Sequence, residues 1–125
     1  FSGKDLNGAD FENCKFYHCT FDNASLVNCN LQNALFSNCS LYNVTAEEAE
    51  LQNARFFSCN LAKAFFTHSN FKEAVLKSCQ TTSSSFMNCC IENIALEETD
   101  LPNDEMFNSE LDWIKNDIPD FEPNM

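Results

Sequence analysis

Every fifth residue from Leu6 to Leu101 is large and apolar, and only Ala46 and Thr81 interrupt the run. Two places before each of these stands a residue that is usually small, as at Ala9, Cys14, Cys19, Ala24, Cys29, Ala34 and Cys39. Neither common element accommodates this beat. A helix turns about 100° per residue, so a five-residue stripe drifts by about 140° at every step. A strand alternates its faces, so an odd period sends successive Leu and Phe to opposite sides. The apolar residue stays inside only if the chain bends after each unit and coils, which predicts a solenoid.

The units GADFE, NASLV, CNLQN, NALFS, EAELQ and CNLAK resemble the pentapeptide-repeat family, whose pattern is a small residue, Asp or Asn, Leu or Phe, and two variable residues. The resemblance implies an all-β solenoid, a right-handed quadrilateral β-helix with four units per coil and about five coils over residues 1–101. It also implies that the central Leu or Phe and the small residue before it point inward, with the other three outward. This chain departs from the pattern in using Cys heavily at the small position and in placing Asn just before it rather than just after.

With four units per coil, residues twenty apart stack. The central columns become Leu6, Leu26, Ala46, Phe66, Phe86; Phe11, Leu31, Leu51, Phe71, Ile91; Phe16, Phe36, Phe56, Leu76, Leu96; and Phe21, Leu41, Leu61, Thr81, Leu101. Each large side chain buried contributes about 1.5–3 kcal/mol. Ala46, followed by Glu47 and Glu48, is expected to be a thin spot in the third coil. Asn13, Asn33 and Asn53 share one corner, as turn formers or as a ladder of hydrogen-bonded amides.

Eight cysteines in a short chain would ordinarily announce a disulfide framework. Seven of them (Cys14, Cys19, Cys29, Cys39, Cys59, Cys79, Cys89) instead share the small-residue phase, which reads as core packing, and only Cys90 lies outside it. Cys19, Cys39, Cys59 and Cys79 fall in one column, strung along an axis rather than convergent as a tetrahedral metal site requires. His18 and His68 lie at an outward phase on different faces. No metal, cofactor or catalytic set is expected: no Ser–His–acid arrangement or ligand spacing is visible, and the two glycines both lie in the first coil.

The formal charge of −12 is unevenly distributed. Residues 1–91 carry eight acids and six bases, whereas residues 92–125 carry eleven acids and Lys115 alone. There is no basic groove for nucleic acid, and no apolar run approaches the ~20 residues a membrane helix needs. The beat already holds at Phe1, which reads as a segment excised from a longer solenoid. After Leu101 it fades. Residues 102–125 are expected to form an acidic cap or linker, with a short helix near 109–118. There Leu111, Trp113 and Ile114 would cover the open end or pair two copies.

Sorting outward residues by face singles out one. The face of Phe16, Phe36, Phe56, Leu76 and Leu96 displays Lys15, Tyr17, Leu35, Arg55, Phe57, Val75 and Lys77, a mixture of apolar, aromatic and basic groups. Phe65, assigned to an adjacent face, is expected to extend it. Tyr and Arg are frequent interface anchors, so this face is the candidate for a protein partner.

The expected role is a non-catalytic interaction scaffold within a larger protein, such as a secreted bacterial effector; some effectors with ubiquitin-ligase domains carry similar β-helical segments. That places the chain in a cytoplasm, with delivery into a host cell. Some family members mimic DNA and bind gyrase, but that needs acids along the rod, and residues 1–91 net only −2. The units FENCKF, LVNCNL and FSNCSL also resemble the luminal pentapeptide domain of synaptic-vesicle glycoproteins, an extracellular alternative. The sequons at Asn23, Asn38 and Asn43 are read as chance occurrences in a chain rich in Asn, Ser and Thr.

Overall fold

The computed structural model describes residues 1–102. The helix near 109–118 and the capping residues Leu111, Trp113 and Ile114 lie outside the described residues. Five short strands follow at intervals of twenty: β1 (Lys15–Tyr17), β2 (Leu35–Ser37), β3 (Arg55–Phe57), β4 (Val75–Lys77) and β5 (Ala95–Glu97). They form one parallel sheet in sequence order, with Phe16, Phe36, Phe56, Leu76 and Leu96 in register. On the other three walls isolated parallel bridges hold the same offset, as in Asp5↔Ser25↔Thr45↔Phe65↔Ser85. The fold is an all-β parallel solenoid, and the expected twenty-residue stacking holds throughout.

The bend between units has a uniform backbone cause. Every unit places one residue in the left-handed region, from Gly3 (φ 67°) and Gly8 (φ 76°) through Asn13, His18 and Asn23 to Glu98 (φ 50°). Asn tolerates this conformation better than other non-glycine residues, which explains its recurrence one place before the small residue. Asn13, Asn33 and Asn53 lie there with φ of 66°, 61° and 62° and act as turn formers. An amide-to-amide hydrogen bond occurs at another corner, from Asn43 to Asn23 at 2.8 Å.

On three walls every unit but the one ending at Ala49 closes a β-turn through a backbone bond from the small residue to the central residue three before it, as in Ala9 N–H to Leu6 carbonyl at 3.0 Å. The wall of β1–β5 differs. Among the described residues, no such bond runs from the N–H of Cys19, Cys39, Cys59 or Cys79. Freed of that closure, the chain stays extended for three residues, and those three residues form the strand.

The core is filled by the stacked columns. Phe36 lies on Phe56 with ring centroids 4.8 Å apart and planes 2° from parallel, and Phe16 stacks on Phe36 at 5.0 Å. Between walls the rings meet edge to face, as Phe66 and Phe71 do at 5.1 Å and 84°, both geometries that aromatic quadrupoles favour. At the expected thin spot Ala46 is fully buried. The turn bond from Ala49 is also missing there, and the Ser69 hydroxyl from the next coil bridges the gap. It accepts from the Ala49 N–H at 3.0 Å and donates to the Ala46 carbonyl at 2.6 Å.

Candidate partner-binding face

The sheet β1–β5 projects two outward columns. One runs Lys15, Leu35, Arg55, Val75, Ala95, and the other Tyr17, Ser37, Phe57, Lys77, Glu97. Tyr17 is 55% exposed, Lys15, Arg55 and Lys77 are exposed, and Phe57 and Val75 are half-buried. Leu35 departs from expectation: although at an outward phase it is buried, with 9% exposure. It sits in register between Lys15 and Arg55, whose long aliphatic stems suit them to cover an apolar neighbour. Phe65 is not brought to this face. It is 45% exposed, but it bridges Thr45 and Ser85, half a coil from Val75 and so on the opposite wall.

The electrostatics of the four walls differ in sign. Beside the central residues, the β1–β5 wall carries Lys15, Arg55, Lys77 and Glu97, a net of +2. The wall of Phe11 carries Asp10, Glu12, Glu50, Glu92 and Lys72, a net of −3. The wall of Leu6 (Asp5, Glu47) and that of Phe21 (Asp22, Asp100) each net −2. Lys77 approaches Glu97 at 3.8 Å, whereas Lys15 and Arg55 make no ion pair among the described residues. Two unpaired cations, an exposed Tyr and a row of apolar side chains therefore share one flat wall.

Beside this face an open groove of about 500 Å³ climbs the corner, with neutral walls including Asn38, Ser58, Ser40 and Asn60 and a floor of Cys19, Cys39 and Cys59. None of the eight cysteines is in a disulfide. Cys39, Cys59 and Cys79 donate to the carbonyls of Phe16, Phe36 and Phe56 one coil below, at 3.3, 3.2 and 3.3 Å. The N–H groups of Cys19, Cys39 and Cys59, the donors left over where the turn bond is missing, point at these sulfurs from one coil below. At the top of the column the Thr99 hydroxyl accepts the Cys79 N–H at 3.0 Å. The cysteines are core residues with a polar task that spacing alone did not reveal. Burial pushes the Cys29 and Cys39 thiols up, and a hydrogen bond with Cys79, then burial, pushes Cys59 up. Among the described residues no group of three His, Cys, Asp or Glu side chains is placed to hold a metal ion, and no helix is long and apolar enough to cross a membrane.

A parallel solenoid with a five-residue unit and one left-handed residue per unit defines a narrow class of repeat protein. The chain belongs to the pentapeptide-repeat family: the family described as pentapeptide repeat region matches residues 32–106, and pentapeptide repeats (8 copies) match residues 5–43. A pentapeptide repeat protein from the Arabidopsis thaliana thylakoid lumen has a similar fold, with a TM-score of 0.73 at 22% identity over 88% of this chain and 75% of that one. HetL of the cyanobacterium Nostoc, involved in heterocyst differentiation regulation, aligns at 13% identity and a TM-score of 0.39, over 78% of this chain and 53% of its own. QnrB1, a plasmid-mediated fluoroquinolone resistance protein, aligns at 19% and 0.40, over 75% and 54%. No curated protein matches the chain.

Proposed function

We propose that this chain is a non-catalytic protein-binding scaffold and that the β1–β5 wall is its contact surface. The observation that carries the reading is the coincidence, on one wall of four, of net positive charge with the exposed Tyr17 and the half-buried Phe57 and Val75. The wall's backbone is rigid: each strand is bonded to its neighbours and its central side chains pack in a filled core, so binding pays no backbone ordering cost. Tyr17, Arg55 and Phe57 are the expected anchors. DNA mimicry fits less well, because acids would have to line the rod and one wall has the opposite sign.

The test is affinity capture from the native source with the intact chain against the Tyr17→Ala/Arg55→Ala/Phe57→Ala variant, with Tyr42→Ala as a control on another wall. Loss of a partner in the triple variant alone, at an unchanged thermal midpoint, supports the assignment. Equal capture by all three proteins retires it.

A further inference from the structure

The β1–β5 wall is small for a globular partner. Five strands about 4.8 Å apart span about 19 Å, and three residues across give roughly 200 Å². A stable interface between folded proteins takes about 800 Å² from each side. The wall has instead the dimensions of one polypeptide segment laid across the strands.

The chain itself contains a segment of complementary chemistry. Residues 103–125 hold seven acids and one base, a net of −6, interspersed with Phe107, Leu111, Trp113, Ile114, Ile118 and Phe121. The wall offers Lys15 and Arg55, unpaired among the described residues, beside Tyr17, Phe57 and Val75, while the other three walls carry net negative charge that repels such a segment. The point of departure is also right. Pro102 follows Glu97, the last residue of β5, by five positions, so the segment begins at the top of this solenoid next to that wall. Twenty-three residues reach up to about 75 Å, ample for a surface about 19 Å tall. Tethering helps further: a short covalent connection supplies an effective concentration on the order of millimolar, so even a weak intrinsic affinity holds the segment in place.

We propose that the β1–β5 wall is the docking surface for the chain's own residues 103–125, which thereby occupy the contact face until a partner displaces them. This rests on the reading of that wall as a binding surface and names its resident occupant. Acids on the segment pair with Lys15 and Arg55, and its apolar side chains lie along Tyr17, Phe57 and Val75. The arrangement is intramolecular and independent of protein concentration.

Trp113, the chain's single tryptophan, reports on this directly in the full-length protein. The expected result is native emission to the blue of the urea-unfolded chain, with reduced acrylamide quenching. In Lys15→Glu/Arg55→Glu both should revert to the unfolded-chain values, while Lys63→Glu/Lys72→Glu, an equal charge change away from that wall, leaves them unaltered. Raising salt to 1 M, where the screening length falls to about 3 Å, should move the wild-type signal the same way. Circular dichroism checks that the variants fold, and the salt series decides the matter if the double variant does not. Solvent-like emission in the wild type overturns the proposal, and so does protection that survives both charge reversal and salt, as a cap over the fifth coil would give. No external partner is in the cuvette, so these outcomes leave the scaffold reading standing, whereas partner capture that ignores the wall would remove that reading alone.

Discussion

Replacing Cys59 by Ala and by Ser separates two roles for the cysteine column. If Cys59 only fills space, Ala removes one buried heavy atom, a loss comparable to Ile→Val at about 0.5–1.5 kcal/mol, and Ser, nearly as small and more polar, does no better. The structure assigns it more. The Cys39 N–H has no backbone acceptor in its own turn and points at the Cys59 sulfur, which donates onward to the Phe36 carbonyl at 3.2 Å. Alanine orphans that buried N–H at about 1–3 kcal/mol in addition to the packing loss, for a total of about 2–4 kcal/mol. Serine restores both bonds, as Ser69 does at the equivalent position on another wall, and Thr99 likewise accepts the N–H below it, so Cys59→Ser should cost about 1 kcal/mol or less. Cys89→Ala is the internal control. Its thiol bonds the Phe66 carbonyl, but the N–H below, on Ser69, already reaches that carbonyl at 3.1 Å, so the cost should stay near about 1 kcal/mol. Urea unfolding followed by circular dichroism measures all three. Equal losses for Cys59→Ala and Cys89→Ala, or a serine variant as weak as the alanine one, would refute the bridging role.

Other consequences are open to the same assays. Burial pushes the Cys29 and Cys39 thiols up, so the folded chain keeps protons that the unfolded chain releases. Their contribution to stability should be complete at neutral pH and decline above about pH 8.5, where unfolded thiols ionise, until the folded thiols ionise too; an unchanged urea midpoint from pH 7 to pH 10 would contradict this. Alkylation of the native chain should reach the half-buried Cys14, Cys19 and Cys90 before Cys29, Cys39 or Cys59, with the order read by mass spectrometry. Glu48 and Glu73 hold φ of 54° and 60°, so Asn at either position should stabilise by about 0.5–1 kcal/mol and Val should destabilise. A loss of stability in Glu73→Asn would show that the carboxylate has a role beyond the turn.

The repeat register was legible because it depends on a single periodic quantity, the apolar beat, and each unit that broke it was compensated nearby. Ala46 is an example: the larger Phe66 occupies the same column, and Ser69 supplies the hydrogen bonds. The left-handed corners were half legible. Asn marks many of them, but Glu48, Lys63 and Glu73 adopt the same conformation because stacking on both sides imposes it against local preference. The candidate face was legible as a column pattern, since phase alone places Lys15, Tyr17, Arg55 and Phe57 together. Its details were not. Leu35 is covered because of what flanks it across the strands, and Phe65 was assigned to an adjacent face although ten residues is half a coil.

What makes this wall different from the other three is one missing hydrogen bond per coil. Where the small residue closes a turn, the central residue is pinched and only an isolated bridge survives between coils. Where that closure is absent coil after coil, three residues run extended, pair on both sides and hold their outward neighbours in two straight columns, whereas the single missing closure at Ala49 leaves only the isolated bridges of Thr45. The same absence orphans an N–H in each coil, and the residue one coil above must accept from it, which alanine cannot do. Cys at 39, 59 and 79 and Thr at 99 meet that need in a space too small for a larger polar side chain. The flat face and the cysteine column are therefore two consequences of one local choice. A substitution that leaves an orphaned donor inside should disturb the spacing of Arg55 and Phe57 outside before it unfolds the coil, so Cys59→Ala should weaken partner capture at temperatures well below its own midpoint while Cys59→Ser should not.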